Sequence, residues 1–347
     1  MTNPTELIRQ LIQLPGPPGQ ENAVRNWLAE RLRALDFRPT TDPKGNLFVQ
    51  LAGTGASHPP ILVTAHLDEI ALMITKIEDD GKVRVEAVGG AYPWKWGEGP
   101  VEILARSGPV PGILSFGCIH TNSDASVVEH ARHHPLKWER AYVFTGKSGE
   151  ELAAAGVRPG LRVVLSSSRR VVTEIGPYLG SYFLDDRADL AVWLMALEAL
   201  RQEGGRLPGK VTFAATASEE VGADGAQYLL RTQPADICVA LEIGPKTPEA
   251  DFPIDSQPTI WVRDGYAAME ALDGDILTDC CAELGLTPHW QYLSRGGSDA
   301  SCAASKGLTA RPVTLGLPVE NSHGYEIMHR EAPAELVRLL LAYLRRA

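Results

Sequence analysis

Two adjacent glutamates, Glu219 and Glu220, stand just after the apolar run VTFAATA at 211–217. The run is rich in Val, Phe and Thr, which predicts a buried strand. A buried strand that ends in two like charges is costly unless a partner compensates them, and a divalent metal ion is one such partner. The segment SEEVG at 218–222 therefore indicates a hydrolytic metal site in which one carboxylate binds metal and the other acts as a base. An alternative interpretation is a turn whose Ser218 and glutamates cap the next helix.

Further acids and histidines lie at the ends of other predicted strands or at the start of a predicted helix. They are His66 and Asp68 after 61–65, Asp185 and Asp186 before 187–200, Glu242 after 236–241, and His323 after 313–317. Functional groups of α/β sheets collect at the carboxyl ends of strands, and imidazole nitrogen and carboxylate oxygen are ligands that zinc accepts. Taken alone, each histidine is typical of a hydrogen-bonded core residue, and the two aspartates are typical of helix caps. Together with the glutamate pair they favour a metal centre.

The elements that must position these residues follow from the periodicity of the apolar residues. The predicted elements of the α/β part are helices 20–35, 187–200, 223–231, 275–285 and 333–345, and strands 46–51, 61–65, 211–217, 237–243, 259–263 and 311–315. Between 70 and 173, short β-rich runs alternate with Gly and Pro turns, which is typical of a small β domain. We therefore predict an α/β catalytic domain, 1–69 plus 174–347, with a mostly parallel sheet flanked by helices. A small β-barrel-like domain, 70–173, is inserted into it.

Composition and charge exclude several classes of function. The net charge of −10 argues against a nucleic-acid partner and against an anionic membrane surface, because both need a basic face. The first residues, MTNPTELIRQ, lack the layout of a signal peptide, and no apolar stretch is long enough for a membrane span. The five cysteines form no CxxC pair, which argues against a zinc ribbon and a disulfide framework. We expect a cytoplasmic protein.

Five motifs occur in one order along the chain: AHLDEI (65–70), LDDR (184–187), SEEVG (218–222), GGSDA (296–300) and the late His323. In this order and spacing the chain resembles the cytosolic dinuclear-metal aminopeptidases of the TET and glutamyl-aminopeptidase-like family, over essentially its full length and including the β insertion. The resemblance implies a metallo-aminopeptidase with a zinc-peptidase-like core that hydrolyses N-terminal residues from peptide substrates. It also implies two divalent ions per subunit, zinc or cobalt with manganese as a further choice, and a homo-oligomer of dimers joined through the β domain into a tetrahedral dodecamer.

The resemblance assigns a role to each matching residue. Asp185 bridges the two metal ions, His66 and Glu242 complete one metal shell, Glu220 and His323 complete the other, Glu219 is the general base, and Asp68 receives the other ring N–H of His66. Three positions depart from the family pattern: Glu242 replaces a usual Asp, Asp189 a usual Gly, and Gly324 a usual Ser. None of these departures removes a ligand.

Other residues carry weaker expectations. Asp186 is expected to cap the following helix, Glu69 to be structural or to face substrate, and His120 to lie on a turn. His130, His133 and His134 are expected to form a solvated loop or assembly surface, and Trp94 and Trp96 to be packing or interface residues. Two alternative functions stay open. A related dinuclear-metal amidohydrolase or deacylase shares the core but usually has a ferredoxin-like insertion, which the β-rich segment argues against. A catalytically silent scaffold has no need of Glu219.

Overall fold

The computed structural model describes residues 3–55, 58–123 and 125–347, which form two compact units. The first unit contains residues up to Glu69 together with Val172–Ser322 and Glu326–Ala347. The second unit contains Ile70–Val171 and His323–Tyr325. Among the helices of these described ranges, none is long and apolar enough to cross a membrane.

The helices of the first unit are amphipathic or fully buried. They are α1 (Pro4–Ile12), α2 (Asn22–Ala34), α6 (Leu184–Gln202), α7 (Asp224–Thr232), α8 (Ala271–Leu284), α9 (Asp299–Ala304) and α10 (Ala332–Leu344); the second unit has α3 (Pro93–Trp96), α4 (Val127–Ala131) and α5 (Gly149–Ala154). Nearly every side chain of α6 is buried, since the sequence ADLAVWLMALEAL is apolar around the whole helix. This helix packs against α1 and α10, and its first turn carries the LDDR motif.

A large mixed sheet forms the centre of the first unit. Its strands are β1 (Thr40–Thr41), β2 (Leu47–Leu51), β3 (Ile61–His66), β10 (Thr173–Ile175), β11 (Tyr178–Ser181), β12 (Val211–Thr216), β13 (Ile237–Pro245), β14 (Thr259–Arg263), β15 (His289–Tyr292), β16 (Arg311–Glu320) and β17 (Glu326–His329). The main strand order is β1-β2-β12-β3-β13-β16-β17-β11-β10, and β14 pairs with β15 and β16.

The central strands of this sheet, β12, β3, β13 and β16, are parallel. Every residue of β3 and β12 is buried, because helices cover both faces of a parallel sheet. The flanking pairs β1–β2, β2–β12, β16–β17, β17–β11 and β11–β10 are antiparallel. The parallel centre brings the carboxyl ends of β3, β12 and β13 to one edge of the sheet.

A closed barrel forms the centre of the second unit. Its strands, in barrel order, are β4 (Ala71–Ile77), β5 (Val83–Val88), β8 (Tyr142–Phe144), β7 (Gly108–Ser115), β6 (Gly99–Ala105) and β9 (Arg162–Leu165). Alternate residues of β6 and β7 are buried, among them Val101, Ile103, Val110 and Leu114, as the two-residue repeat of a strand requires. Two short 3₁₀ helices, Trp138–Arg140 and Ser167–Arg169, complete the regular elements described for this unit.

The predicted mixed α/β core with an inserted β-barrel is confirmed, and the long helices and central strands lie within a few residues of their predicted bounds. The sequence pattern did not reveal several short elements. They include the helices α1, α3, α4, α5 and α9 and the strands β1, β8, β10, β11, β15 and β17. Each of these strands has four residues or fewer, so the apolar alternation that signals a strand has no room to appear.

Candidate metal centre

His66 ends strand β3 with its ring buried at the carboxyl edge of the sheet. Its backbone N–H donates to Asp186 Oδ2 at 2.5 Å. Its ring Nδ1 lies 3.0 Å from the backbone oxygen of Asp68, and its Nε2 lies 3.0 Å from Asp185 Oδ1. With Nδ1–H donated to a carbonyl, Nε2 carries the lone pair, which makes it the nitrogen that is available to a metal ion.

Asp185 and Asp186 occupy the first turn of α6, where both residues have non-helical backbone angles and the peptide bond between them is cis. The kink divides this element, so that Phe183 precedes its first turn and Asp186 directly precedes the regular helix. Asp186 does more than a helix cap would, because its carboxylate accepts the His66 backbone N–H. The Asp185 backbone N–H donates to Glu326 Oε2 at 3.0 Å.

Four ligand atoms converge at this edge of the sheet. One atom each from His66, Asp185, Asp186 and Glu242 lies within 4.8 Å of the other three. Glu242 is a buried residue of β13, which continues beyond it to Pro245. A carboxylate oxygen of Glu220 lies within 4.8 Å of a carboxylate oxygen of Asp185. Asp185 therefore lies close both to the other three residues of this group and to Glu220.

Asp68 connects the histidine strand to the glutamate pair. Its Oδ1 accepts the backbone N–H of Glu219 at 2.9 Å, and its Oδ2 accepts that of Glu220 at 3.0 Å. The side chain of Asp68 is fully buried, and its Oδ1 is 3.6 Å from the His66 ring nitrogen, beyond hydrogen-bond length. The carboxylate of Asp68 therefore fixes the turn that carries Glu219 and Glu220, while its main-chain oxygen orients His66.

The glutamate pair does not cap the helix that follows it. Helix α7 begins at Asp224 with Ala223 as its N-cap, and Ser218 donates its hydroxyl to Glu21 Oε1 at 3.3 Å. The capping interpretation of SEEVG is thus wrong. Glu219 and Glu220 are partly buried in a turn between β12 and α7, beside the acids of the neighbouring strands.

Burial and mutual repulsion dominate the electrostatics of the cluster. Burial raises the pKa of Glu219 well above its ordinary value, and the charges of Asp299, Glu220 and Asp68 raise it further. Burial likewise raises the pKa of Glu242, and the charges of Glu219, Asp185 and Asp186 act in the same direction.

For the imidazole of His66, burial and the neighbouring acids change the pKa in opposite directions. Burial by itself lowers its pKa, but the charges of Asp186 and Asp68 and the hydrogen bond with Asp185 outweigh burial and raise the pKa well above its ordinary value. The cluster therefore favours a positive charge in its middle.

These residues fit a divalent metal ion. The donors are imidazole nitrogen and carboxylate oxygen, which zinc and related metals accept. Several ionisable carboxyl groups share a buried space with a single histidine, and a cation compensates such charges. Asp186 Oδ1 is buried beside the equally buried carboxyl group of Asp189, and two adjacent carboxylates repel each other unless a proton or a cation compensates them.

His323 belongs to the second unit, where its ring Nδ1 lies 3.1 Å from the backbone oxygen of Gly90. Donation of Nδ1–H to that oxygen leaves the lone pair on Nε2, as in His66. A Cβ atom at position 90 would lie 2.4 Å from His323 Nδ1, so this approach requires glycine. The backbone of His323 is also in the left-handed region, with φ of 60°.

The weaker expectations have mixed outcomes. Glu69 is fully buried in an ion pair with Arg187, which makes it structural. His130 stacks on His134 at 4.3 Å between ring centroids in the second unit, and His120 is exposed. Trp96 is buried and packs edge-on against Trp138. Trp94 is 59% exposed and contacts Tyr92, so of the two roles expected for it the interface role stays a prediction.

Sequence reasoning missed two buried carboxyl groups near the centre. Asp299, in the GGSDA motif, accepts the Thr216 hydroxyl at 2.6 Å, and burial raises its pKa to about 6. Asp189 is fully buried in α6, and burial also raises its pKa. The available signal was an acid inside a strongly apolar helix, which is unusual unless the acid has a buried partner.

Comparison with known proteins identifies the family. The family model described as M42 glutamyl aminopeptidase matches residues 45–339. The chain belongs to the M42 glutamyl aminopeptidase family. It is therefore an aminopeptidase, a peptide-bond hydrolase, and the resemblance read from its motifs is confirmed. M42 peptidases are metal-dependent, which agrees with the buried cluster of His, Asp and Glu described above.

Individual relatives are distant but similar over most of the chain. A glutamyl aminopeptidase of Lactococcus lactis is 23% identical over 92% of this chain and 89% of its own length. A lysyl aminopeptidase of Pyrococcus furiosus is 25% identical over 69% of this chain and 66% of its own length.

Solved structures agree with the fold. An aminopeptidase of Desulfurococcus kamchatkensis has a TM-score of 0.87 at 25% identity and covers 99% of this chain and 94% of its own. The TET1 peptidase of Pyrococcus horikoshii, described as able to assemble into a tetrahedron or a large octahedral shell, has a TM-score of 0.85 at 25% identity, covering 99% of this chain and 100% of its own.

Proposed function

We propose that this M42 aminopeptidase removes N-terminal residues from peptides by means of two divalent metal ions and a glutamate base. The observation that carries the proposal is the convergence of His66, Asp185 and Glu242 on one buried point, with Glu220 beside Asp185. Asp185 would serve both ions, and His66 and Glu242 would hold the first of them. Glu220 and His323 would hold the second; His323 is assigned from its place in the order of motifs and from its contact with Gly90, which leaves the lone pair on Nε2.

Two divalent ions held there would supply Lewis acidity for the scissile carbonyl and for a water molecule. Glu219 would accept a proton from the attacking water and pass it to the leaving amine. The geometry supports this role, since Asp68 holds the backbone amides of both Glu219 and Glu220 and so keeps the base beside the ligand. The buried surroundings that raise the pKa of Glu219 also suit a group that must hold a proton between two steps.

We further propose that zinc or cobalt fills the two sites, with manganese as an acceptable substitute, because these metals share the same donor preferences. The assembly is proposed to be a homo-oligomer, dimers joined through the barrel unit into a tetrahedral dodecamer. The described assembly of the Pyrococcus horikoshii peptidase supports this proposal. We also propose a cytoplasmic location, which the five free cysteines support.

The test is hydrolysis of a panel of unblocked aminoacyl-p-nitroanilides by protein stripped with EDTA, before and after zinc or cobalt is added. We expect activity to vanish on stripping and to return with metal, and the preferred side chain to identify the specificity. N-acetylated amino acids, assayed by the release of acetate, are the control, since a deacylase hydrolyses the bond between the acetyl group and the amine. Activity on blocked substrates only, or no activity with metal bound, would refute the proposal.

A further inference from the structure

Arg187, the last residue of the LDDR motif, is fully buried, and its guanidinium contacts two separate segments, the loop 67–69 and Leu14. Its Nη1 donates to the backbone oxygen of Leu67 at 2.6 Å. Its Nη2 donates to Glu69 Oε2 at 2.7 Å and to the backbone oxygen of Leu14 at 3.3 Å. A planar guanidinium can reach acceptors in several directions at once, which an ammonium group cannot do with the same geometry.

The loop that Arg187 holds, residues 67–69, performs two tasks at the metal centre. The backbone oxygen of Asp68, 3.5 Å from Arg187 Nη1, lies 3.0 Å from the His66 ring nitrogen. The carboxylate of the same residue binds the amides of Glu219 and Glu220. A shift of this loop would therefore move the group that sets the His66 tautomer and the group that holds the glutamate turn.

Two further features show that the Arg187 guanidinium fits closely into the space around it. The backbone N–H of Glu69 donates to the oxygen of Gly16 at 3.1 Å, which ties the loop to the segment after α1. A Cβ atom at Gly16 would lie 2.9 Å from Arg187 Nη2 and 3.0 Å from the oxygen of Leu67. Glycine at position 16 therefore leaves the room that the guanidinium occupies.

We propose that Arg187 is a positioning residue for metal binding. It holds the loop 67–69 so that His66, Glu219 and Glu220 keep the arrangement that the ions require. This inference rests on the proposed function, because it concerns the affinity for the ions that the function uses. It differs from a purely structural role, since a residue that only stabilises the fold would leave the affinity of the folded protein for metal unchanged.

The experiment measures the zinc dissociation constant of EDTA-stripped protein by competition with a chromophoric chelator. The first variant is Arg187→Lys, which keeps the charge but loses the planar fork. We expect its dissociation constant for zinc to rise about 10- to 100-fold, as for other residues that orient metal ligands. Glu69→Gln and Gly16→Ala perturb the same contacts with smaller changes in side-chain size, and we expect a rise of several-fold for each.

Arg311→Lys is the matched control. Arg311 forms a comparable pair with the buried Asp273, with its Nε 3.0 Å from Asp273 Oδ2. It lies at the start of β16, five residues before Gly316, the partner of Glu242 across the sheet, which is roughly 16 Å along a strand. We expect this variant to lose thermal stability while its dissociation constant for zinc stays that of the wild type.

The outcomes separate the two proposals. If wild-type protein does not bind zinc, the proposed function fails. If the wild type binds and Arg187→Lys has the same dissociation constant, or if Arg311→Lys weakens binding equally, the positioning role fails and the proposed function stands. Should Arg187→Lys not fold, Glu69→Gln and Gly16→Ala decide, and wild-type binding by both overturns the inference.

Discussion

Asp68 shows how much a single residue can do when its main chain and side chain act separately. The sequence resemblance assigns its carboxylate to the ring of His66. In the structure the backbone oxygen is the atom at hydrogen-bond distance from that ring, and the carboxylate accepts two amides from the glutamate turn. A short acidic side chain suits this position because two oxygens can each accept one N–H.

Replacing the proposed base tests the mechanism at the residue scale. We expect Glu219→Gln to lower kcat by about 10² to 10⁴-fold, because the amide cannot accept the proton of the attacking water. The measurement is kcat on the best aminoacyl-p-nitroanilide at saturating zinc. The zinc affinity of the variant serves as the control and should be close to that of the wild type. Unchanged kcat with metal bound would show that another group is the base.

Asp299 gives a prediction for the pH dependence of stability. Burial raises its pKa to about 6 in the folded protein, against about 3.9 in an unfolded chain. The folded state thus binds this proton more tightly, so the contribution of Asp299 to the free energy of unfolding is greatest below pH about 4 and is lost as the pH rises to about 6.

In the variant Asp299→Asn, residue 299 does not titrate, so this pH-dependent loss of stability is absent. The side-chain oxygen of the new asparagine can still accept the hydrogen bond from the Thr216 hydroxyl. Between pH 4 and 7, its free energy of unfolding should therefore rise relative to that of the wild type by on the order of 3 kcal/mol. Urea denaturation of both proteins in EDTA, at several pH values across this interval, measures the difference. Parallel curves would mean that Asp299 titrates normally in the folded protein.

At the scale of elements, the turn between β12 and α7 depends on a residue from a distant part of the chain. Asn46, fully buried just before β2, accepts the backbone N–H of Ala217 at 2.9 Å and donates to the oxygen of Gly225 at 3.0 Å. Ala217 and Gly225 stand at the two ends of the segment that carries Glu219 and Glu220, so the Asn46 side chain contacts both ends. The turn is thus held from outside as well as by its own backbone hydrogen bonds, such as that from Gly225 N–H to the oxygen of Ala217 at 2.9 Å.

We expect Asn46→Ala to lower the free energy of unfolding by about 2 to 4 kcal/mol, because two buried backbone groups lose their partners. The same change should lower kcat, since the glutamates lose their support. The control is Gln50→Ala, whose amide makes an exposed hydrogen bond to Gln233, and which should cost less than about 0.5 kcal/mol. Chemical denaturation and kinetics measure both effects, and equal stability of the two variants would contradict the prediction.

At the scale of the whole molecule, the buried carboxyl groups of the metal centre repel one another, and bound cations would relieve this repulsion. The pKa of Glu242 is raised by burial and by three neighbouring acids, so its charge is unfavourable in the metal-free protein. Any ion that binds only the folded state stabilises it, by about 2.7 kcal/mol per site at a concentration of 100 Kd. Folding and metal binding should therefore be strongly coupled in this chain.

The variant Glu242→Gln tests this coupling through two effects of opposite sign. Without metal, we expect its Tm to be higher than that of the wild type, because one buried charge is removed. With excess zinc, its Tm should rise less than that of the wild type, because one ligand is lost. Differential scanning calorimetry in EDTA and in zinc measures both shifts. A lower Tm in EDTA would show that the charge of Glu242 is already compensated by the protein.

By itself, the sequence determined the fold class, the long elements and the family. Apolar runs with a period near 3.6 or 2 must be buried as helices or strands, and five motifs in one order are specific enough to indicate an M42 aminopeptidase. The ligand residues carried over from the family stay predictions, although three of them, His66, Asp185 and Glu242, lie together in the structure.

Only the tertiary structure decided how these residues are held. That Asp186 binds the His66 amide, that Asp68 holds the glutamate turn, and that Arg187 connects to loop 67–69 all depend on contacts between segments about 120 to 150 residues apart. Local periodicity carries no information about such pairs, because a buried hydrogen bond needs a partner in space and not a neighbour in sequence. The order of the motifs along the chain indicated which residues carry the chemistry. The parallel packing of β3, β12 and β13 brought those residues to one place.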